Sequence, residues 1–322
     1  NRIWSTTYKE WREHRSCESG GNTDCHRNHI HFSFGEPGAD GHTSWWGAPP
    51  PPPTTPPPGE DTGGDSGGDQ PPPPPPPSLP SATPQLTAFV ASGTGRLAIY
   101  DPGAGQSIAT DLGVLAGTSP SITRMRDGTY RVAFVGDGTA DLHIYDGATL
   151  DHTNQGVQPG TSPSISDMAD GSYKVAFVGD GTADLHIFDG TNTTNTVQGV
   201  HPGTSPSITG LSNGGYQIAF VGYNTPYVYL HGADNGQTDQ GIRPETSPSI
   251  TGFRNGGYTY AFVGLGTDLL TLHGAVNIVT DQGVQPGTSP SIAAQDDGGY
   301  EVAFKALGTD FLYYHGTALN IT

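Results

Sequence analysis

The chain has 322 residues, of which 48 are glycine and 29 are proline, and only 33% are hydrophobic, a mixture typical of many turns and short strands. Its formal net charge of -18 would repel nucleic acid and anionic membrane surfaces, so we expect neither as a partner. No run of about 18 apolar residues occurs, so we expect no membrane span.

Residues 1–47 form the first segment, which holds all four tryptophans and both cysteines. Cys17 and Cys25 stand in a stretch rich in Gly, Asn and Ser, which predicts a local disulfide in an exported protein. Two free thiols are the alternative. The chain begins at Asn1 with neither an initiator Met nor a signal-peptide pattern, so we expect a fragment or a processed form.

Residues 28–34 of this segment read NHIHFSF, and residues 43–46 read TSWW. Together they resemble the final strand of secreted zinc peptidases of the D-Ala-D-Ala carboxypeptidase kind and their peptidoglycan-associated relatives. The resemblance covers about 46 residues and implies a fragment of a small α+β domain, with His31 as a zinc ligand. Alternate residues of a strand share a face, so His29 could point into the same cleft.

This chain departs from the family pattern at the catalytic acid, because Asn28 stands where the family has the acid. The upstream His and Asp ligands would precede Asn1, and a catalytic zinc needs about three protein ligands. We therefore assign no catalytic residue, expect no zinc-dependent peptidase activity from this chain, and regard zinc as a cofactor only of a complete domain. A binding-only domain is the alternative to an active peptidase in the parent protein.

Residues 48–85 form the second segment, with proline runs at 49–53, 56–58 and 71–77 around an acidic stretch of Gly, Asp and Ser. Polyproline is extended and semi-rigid, whereas the Gly/Asp part is flexible. This composition predicts a linker without regular hydrogen-bonded structure.

Residues 86–322 form the third segment, which is built from repeats of 42 or 43 residues. The motif Thr-Ser-Pro-Ser-Ile begins at Thr118, Thr161, Thr204, Thr246 and Thr288. Each unit contains four short stretches bounded by turn residues, in the second unit residues 119–125, 130–135, 142–145 and 154–157. This pattern predicts an all-β fold, a β-propeller of four-stranded blades. A β-helix is the rival, but its coils are shorter and lack hairpin turns.

The repeats predict 22 strands, more than five four-stranded blades need and fewer than six need. We therefore expect five to six blade units. Residues 318–322 match residues 275–279 of the preceding unit, which then continues into another Thr-Ser-Pro-Ser-Ile motif. From this match we expect a truncated propeller whose parent chain continues.

The succession Gly-Thr-Ser-Pro-Ser-Ile, Gly-Gly-Tyr and Val-Ala-Phe resembles the repeats appended to secreted bacterial hydrolases and the propeller lectins of bacteria. The resemblance implies a secreted location and sugar sites between neighbouring blades. The third strands lack tryptophan, so His143 and His186 become candidate sugar contacts. The recurring tyrosines are the other candidates: Tyr130, Tyr173, Tyr216, Tyr258 and Tyr300. For these tyrosines, packing between sheets is the competing explanation.

Two further patterns have a local explanation. His231, His273 and His315 each precede a glycine, the place that Asp146 and Asp189 hold in earlier units, so turn chemistry accounts for them. The stretch VGDGTADL at residues 135–142 and 178–185 resembles part of the calcium loop of integrin-type repeats, but the preceding ligand positions carry no side-chain oxygen. A tight hairpin turn fits this stretch better than calcium does.

The sequence favours a secreted, cell-wall-associated modular protein whose propeller binds a cell-wall or extracellular glycan, and which we expect to be a monomer. One alternative is a zinc-dependent peptidoglycan hydrolase whose catalytic domain is incomplete in this chain. Another is a structural or protein-interaction propeller.

Overall fold

The computed structural model describes residues 2–5, 10–13, 86–295, 298–309 and 311–316. Contacts divide the chain into the units Asn1–Pro76 and Pro77–Thr322. In the first unit, β1 (Arg2–Ser5) pairs antiparallel with β2 (Glu10–Glu13).

The other predictions for the first unit lie outside the described residues. They concern Cys17, Cys25, His29, His31 and the proline-rich segment, and they stay predictions.

The second unit consists of six antiparallel sheets, numbered here as blades 1 to 6. Blade 1 contains β3 (Thr87–Ala91), β4 (Arg96–Asp101) and β5 (Gln106–Gly113). Blade 2 contains β6 (Ser121–Arg124), β7 (Tyr130–Val135), β8 (Asp141–Tyr145) and β9 (Leu150–Gly156). Blade 3 contains β10 (Ser164–Asp167), β11 (Tyr173–Val178), β12 (Asp184–Phe188) and β13 (Thr193–Gly199).

Blades 4 to 6 continue the series. Blade 4 contains β14 (Ser207–Gly210), β15 (Tyr216–Val221), β16 (Tyr227–Gly232) and β17 (Gly236–Gly241). Blade 5 contains β18 (Ser249–Gly252), β19 (Tyr258–Val263), β20 (Leu269–Gly274) and β21 (Ile278–Gly283). Blade 6 contains β22 (Ser291–Ala294), β23 (Tyr300–Lys305) and β24 (Leu312–Gly316).

These blades form a six-bladed β-propeller, which confirms the fold class that the repeats predict. The first strands of blades 2 to 6 contact one another in succession around the axis, and each blade then runs outward in chain order. The strands β3 to β24 are the 22 strands expected from the sequence. The described part of the chain contains no helix, and so none long and apolar enough to cross a membrane.

The outer strands are longer than predicted. In blade 2 the sequence indicates a strand at residues 154–157, whereas β9 covers Leu150–Gly156. This strand is the outer edge of the sheet, and most of its residues are polar. A prediction that relies on alternating hydrophobic residues therefore misses part of the strand. A register shift between Asp141 and His143 and a positive φ of 55° at Asn154 mark a β-bulge in the β8–β9 pair.

The repeated serines explain how the inner strands fit side by side. From blade 3 to blade 4, the N–H of Ser162 donates to Ser205 Oγ at 2.9 Å, and the N–H of Ile208 donates to Ser164 Oγ at 3.1 Å. Equivalent bonds link the inner strands of blades 2 and 3, 4 and 5, and 5 and 6. Hydroxyls thus satisfy N–H groups at the free edge of each inner strand, and the proline between the serines has no N–H to satisfy.

The hydrophobic core is divided among the spaces between blades. The cluster between blades 3 and 4, for example, joins Leu185 and Ile187 of blade 3 to Ile218 and Phe220 of blade 4. Four similar clusters fill the spaces between the other consecutive blades from 1 to 6. Each sheet therefore buries both faces only by stacking against its neighbours.

The pairing register corrects one alignment made from the sequence. His231 and His273 pair with Ile218 and Tyr260, the third residues of their second strands. In blade 2 the corresponding partner is Tyr145, which pairs with Val132. The histidines therefore occupy the position of Tyr145, one residue before the position of Asp146. The alignment made from the sequence took the turn glycine as its reference point. That glycine is not at an equivalent place in all blades, because the turns of blades 4 and 5 differ in length from those of blades 2 and 3.

Candidate functional site

The five recurring tyrosines begin the second strands of blades 2 to 6. They are Tyr130, Tyr173, Tyr216, Tyr258 and Tyr300. Each packs into the cluster that its blade shares with the preceding blade, as the packing hypothesis predicts. Burial raises the pKa of all five phenols above the ordinary tyrosine value. All but Tyr300 remain partly exposed.

The two candidate histidines lie on the third strands β8 and β12. His143 is 6% exposed, and its Nε2 lies 3.3 Å from Thr139 Oγ1 and 3.3 Å from His152 Nδ1. Its ring fills the space beside Gly136, where an added Cβ would lie 2.3 Å from His143 Cε1. Burial first, and then the charge of His152, lower the pKa of His143.

His186 has the same surroundings in blade 3. Its Nε2 lies 3.2 Å from Thr182 Oγ1, and the centroid of its ring lies 5.4 Å from the centroid of the Phe177 ring. Burial lowers its pKa as well. The equivalent residues of blades 4 and 5 are Tyr229 and Thr271, which pair with the corresponding phenylalanines, so histidine does not recur around the ring.

The structure does not bring the tyrosines and the histidines together. His143 pairs with Phe134, which follows Tyr130 by four residues on the same strand. Four residues of a strand span about 13 Å, so the two sets lie toward opposite ends of the blade. A role for His143 or His186 in sugar binding stays a prediction, and such a role would be separate from that of the tyrosines.

One tyrosine stands in a groove with a carboxylate. The hydroxyl of Tyr258, in blade 5, donates to Asp234 Oδ2 of blade 4 at 2.5 Å. A cavity of about 350 Å³ opens beside this pair, and its walls are mostly small residues such as Gly256 and Gly274. Burial, followed by the hydrogen bond and charge of Asp234, raises the pKa of Tyr258 well above the usual tyrosine range. We call this space the Tyr258 groove.

A buried glutamine holds Asp234 in place. Gln217 has no exposed surface; its Oε1 accepts the N–H of Asp234 at 2.8 Å, and its Nε2 donates to the carbonyl of Asp234 at 2.9 Å. Both bonds use the backbone of Asp234, so they leave its carboxylate directed to Tyr258. The groove is therefore preorganised by a side chain from each of two strands and by one turn.

Sequence reasoning missed Asp234 and Gln217. In blade 5 the corresponding turn residue is Val276, whose N–H donates to Thr259 Oγ1 at 3.0 Å. The signal in the sequence was weak, because the same turn also carries Asp146 in blade 2 and Asp189 in blade 3. Its contact with Tyr258 belongs to the packing of two blades, so no pattern within one repeat could reveal it.

A second cavity, of about 270 Å³, lies between the crossover loops that lead into blades 4 and 5. His201, Arg243 and Glu245 are among its lining residues. Arg243 Nη1 lies 3.0 Å from Asp268 Oδ1, so a carboxylate of the protein already balances its charge. The Tyr258 groove is the better candidate for recognising a neutral ligand.

The predicted hairpin turn is present at residues 136–140, where the N–H of Ala140 donates to the carbonyl of Gly136 at 3.1 Å. Among the residues that the structure describes, no group of three or more His, Cys, Asp or Glu side chains is arranged to hold a metal ion.

No protein-family model matches the chain, and no curated protein sequence matches it. Among solved structures it is similar to AofleA from Arthrobotrys oligospora, with 11% identity and a TM-score of 0.50 over 73% of this chain and 83% of that one. This likeness supports the propeller fold. The fold is compatible with a binding module.

Two further solved structures are similar at lower TM-scores. The Aleuria aurantia lectin AAL in complex with Fucalpha1-6GlcNAc is 11% identical, with a TM-score of 0.44 over 72% of this chain and 94% of that one. Streptogramin B lyase is 16% identical, with a TM-score of 0.45 over 70% of this chain and 78% of that one.

Proposed function

We propose that the propeller is a carbohydrate-binding module of a secreted, cell-wall-associated protein, and that the Tyr258 groove is its main sugar site. The observation that carries the proposal is the pair of Tyr258 and Asp234, held across two blades beside an open cavity.

The chemistry of the groove suits a sugar. A pyranose has an apolar face of C–H groups that can pack on an aromatic ring, and hydroxyls around its rim that donate to a carboxylate. The Tyr258 ring supplies the first contact and Asp234 the second. The glycines beside the ring leave room for a bulky ligand to approach it.

The charge of the protein narrows the class of ligand. A formal net charge of -18 disfavours anionic polymers, so a neutral polysaccharide is the expected partner. The other tyrosine positions between blades offer weaker, related contacts. Several weak sites on one ring would bind a polymer more tightly than a free sugar, because linked sites raise the effective concentration.

The rest of the sequence supports a location at the cell wall. The proline-rich residues 48–85 have the composition of a spacer, and residues 1–47 resemble part of peptidoglycan-directed zinc peptidases. On this proposal the propeller holds its parent protein at cell-wall polysaccharide.

A glycan array with the full chain, followed by calorimetry with the best soluble oligosaccharide, tests the proposal. Asp234→Asn keeps the backbone bonds to Gln217 and removes the charge, so we expect binding to weaken about tenfold or more. Tyr258→Ala should abolish binding at this groove. Tyr216→Ala is the matched control, because Tyr216 begins the second strand of blade 4 as Tyr258 begins that of blade 5, and burial alone raises its pKa.

The proposal is wrong if no glycan binds, or if Tyr216→Ala weakens binding as much as Tyr258→Ala while both variants remain folded. His143→Ala and His186→Ala, measured in the same assay, test the separate prediction of a histidine contact. We expect little effect from His143→Ala because its side chain is buried.

A further inference from the structure

The outer two strands of blade 2 carry two histidines side by side. His143 of β8 and His152 of β9 are direct partners in the antiparallel pairing. His143 Nε2 lies 3.3 Å from His152 Nδ1, and the centroids of the two rings lie 4.4 Å apart. Side chains directly opposite each other on one face of a sheet are held close by the backbone. The hairpin therefore brings together two imidazole nitrogens from different strands.

The other four-stranded blades place different residues at these two positions. The corresponding pairs are His186 and Asn195 in blade 3, Tyr229 and Gln237 in blade 4, and Thr271 and Val279 in blade 5. These blades stack in the same way without a second histidine. The packing of a blade therefore does not require the histidine pair of blade 2.

The two histidines differ in their surroundings. His143 is 6% exposed, and its ring lies against Gly136 and edge-on to the ring of Phe134, with 5.4 Å between the ring centroids. This packing holds the His143 ring in place. His152 is exposed, so its ring can turn about χ2 to direct Nδ1 toward a ligand. One nitrogen is thus preorganised, and the other can be reached from solvent.

The distance between the nitrogens suits a tetrahedral metal ion. Imidazole nitrogens bind Zn²⁺ at about 2.0–2.1 Å, so two nitrogen ligands of a tetrahedral zinc ion lie about 3.3–3.4 Å apart. Neighbouring ligands of a square-planar ion such as Cu²⁺ would lie closer, at about 2.9 Å. The separation of 3.3 Å between His143 Nε2 and His152 Nδ1 therefore favours zinc.

The electrostatic surroundings also suit a cation. An imidazole must be neutral to bind a metal, and the lowered pKa of His143 favours its neutral form. Asp141 and Asp151 lie close enough to act on the charge of the His143 ring, and their negative charges would favour a cation at its Nε2.

We propose that blade 2 binds one zinc ion through His143 Nε2 and His152 Nδ1, with water at the remaining coordination positions. The described residues contain no group of three or more His, Cys, Asp or Glu side chains that could hold a metal, so the protein supplies two ligands. Structural zinc sites have four protein ligands. We therefore expect a reversible site that a chelator empties without unfolding the propeller.

Zinc calorimetry with the full chain tests the proposal through His152→Asn, which reproduces the histidine–asparagine pair of blade 3. Residues 1–47 contain five further histidines and two cysteines that can bind zinc. These residues are the same in both proteins, so the difference between the two titrations isolates the site in blade 2. We expect His152→Asn to bind one zinc ion fewer per chain than the wild type.

His201→Asn is the matched control for the loss of a histidine. His201 is a partly exposed histidine of the propeller, and its Nδ1 contacts the backbone carbonyl of Pro202 at 3.0 Å. Its removal should leave the number of bound zinc ions unchanged.

Asn195→His tests the converse. It places a histidine opposite His186 of blade 3, in a strand pair with the same register shift as the pair of blade 2. If the cross-strand pair is sufficient, this variant should bind one zinc ion more per chain than the wild type.

Thermal unfolding provides a readout that depends on the folded blade. A ligand that binds only the folded state at about 100 times its dissociation constant favours that state about 100-fold. For a domain of this size, we expect zinc to raise the melting temperature by about 5–10 °C, and EDTA to reverse the rise. His152→Asn should lack this rise, and without zinc it should melt as the wild type does because His152 is exposed.

Three results would overturn the proposal. The first is equal zinc stoichiometry of the wild type and His152→Asn, in which case the contact between the rings is only a hydrogen bond. The second is a folded Asn195→His variant that binds no additional zinc. The third is a loss of zinc in His201→Asn equal to that in His152→Asn, because the loss would then follow the removal of any histidine.

Discussion

Replacing Ser164 by alanine tests whether the repeated serines hold neighbouring blades together. Ser164 Oγ accepts the N–H of Ile208 at 3.1 Å, and Ile208 is 4% exposed. Alanine removes the acceptor and leaves a poorly hydrated N–H without a partner. Such a group costs about 1–3 kcal/mol. For a domain of this size, each kcal/mol lowers the melting temperature by about 2–4 °C, so we expect a loss of about 4–8 °C for a cost near 2 kcal/mol.

Ser291→Ala is the matched control for Ser164→Ala. Ser291 has the same place in the motif of blade 6, but no described inner strand follows it to donate an N–H. We therefore expect Ser291→Ala to leave the free energy of unfolding within about 0.5 kcal/mol of the wild type, as is usual at exposed sites.

Urea unfolding followed by circular dichroism measures both variants. The expected result is a lower midpoint for Ser164→Ala with an unchanged dependence of free energy on urea, which indicates lost stability without a change of fold. Equal destabilisation by the two variants would refute the argument, because the serine would then act within its own strand and not between blades.

Two further predictions concern the spaces within and between blades. Burial raises the pKa of the tyrosines between blades, and that of Tyr260 to about 12, so the fold favours the neutral phenol. The contribution of these tyrosines to stability should be constant below about pH 10 and be lost above it. Urea unfolding at pH 8, 10 and 11 checks this, and an unchanged free energy at pH 11 would contradict it. Gly136→Ala should destabilise the protein by about 1–3 kcal/mol, because its Cβ would lie 2.3 Å from His143 Cε1. His143→Ala in the same chain should relieve most of that loss, and strictly additive effects in urea unfolding would show that the clash is absent.

The fold was largely predictable because the repeat carries it. A recurring Thr-Ser-Pro-Ser-Ile motif, with turn residues at regular spacing, predicts four strands per unit, and the sheets of blades 2 to 5 confirm it. The outer strands were less predictable. Most residues of β9, for example, are polar, so the sequence shows no clear alternation of hydrophobic and polar residues there. These residues form a strand because they pair with β8.

The candidate site was predictable only in part. The sequence singled out Tyr258 because it recurs with four other tyrosines, but it did not distinguish this tyrosine from Tyr216. The distinction comes from Asp234, which lies 24 residues before Tyr258 and in another blade. The sequence also suggested His143 for the same role, and it could not show that this ring is buried beside Gly136.

The sequence by itself determined the period, the strand order within each blade and the class of fold, since these follow from local propensity and from the need of each sheet to bury two faces. Only the tertiary structure decided which side chains meet across blades. It brought the Tyr258 hydroxyl to the carboxylate of Asp234 and placed serine hydroxyls of one inner strand against N–H groups of the next. The physical reason is that these contacts depend on the stacking of separate sheets, where residues far apart in sequence approach one another.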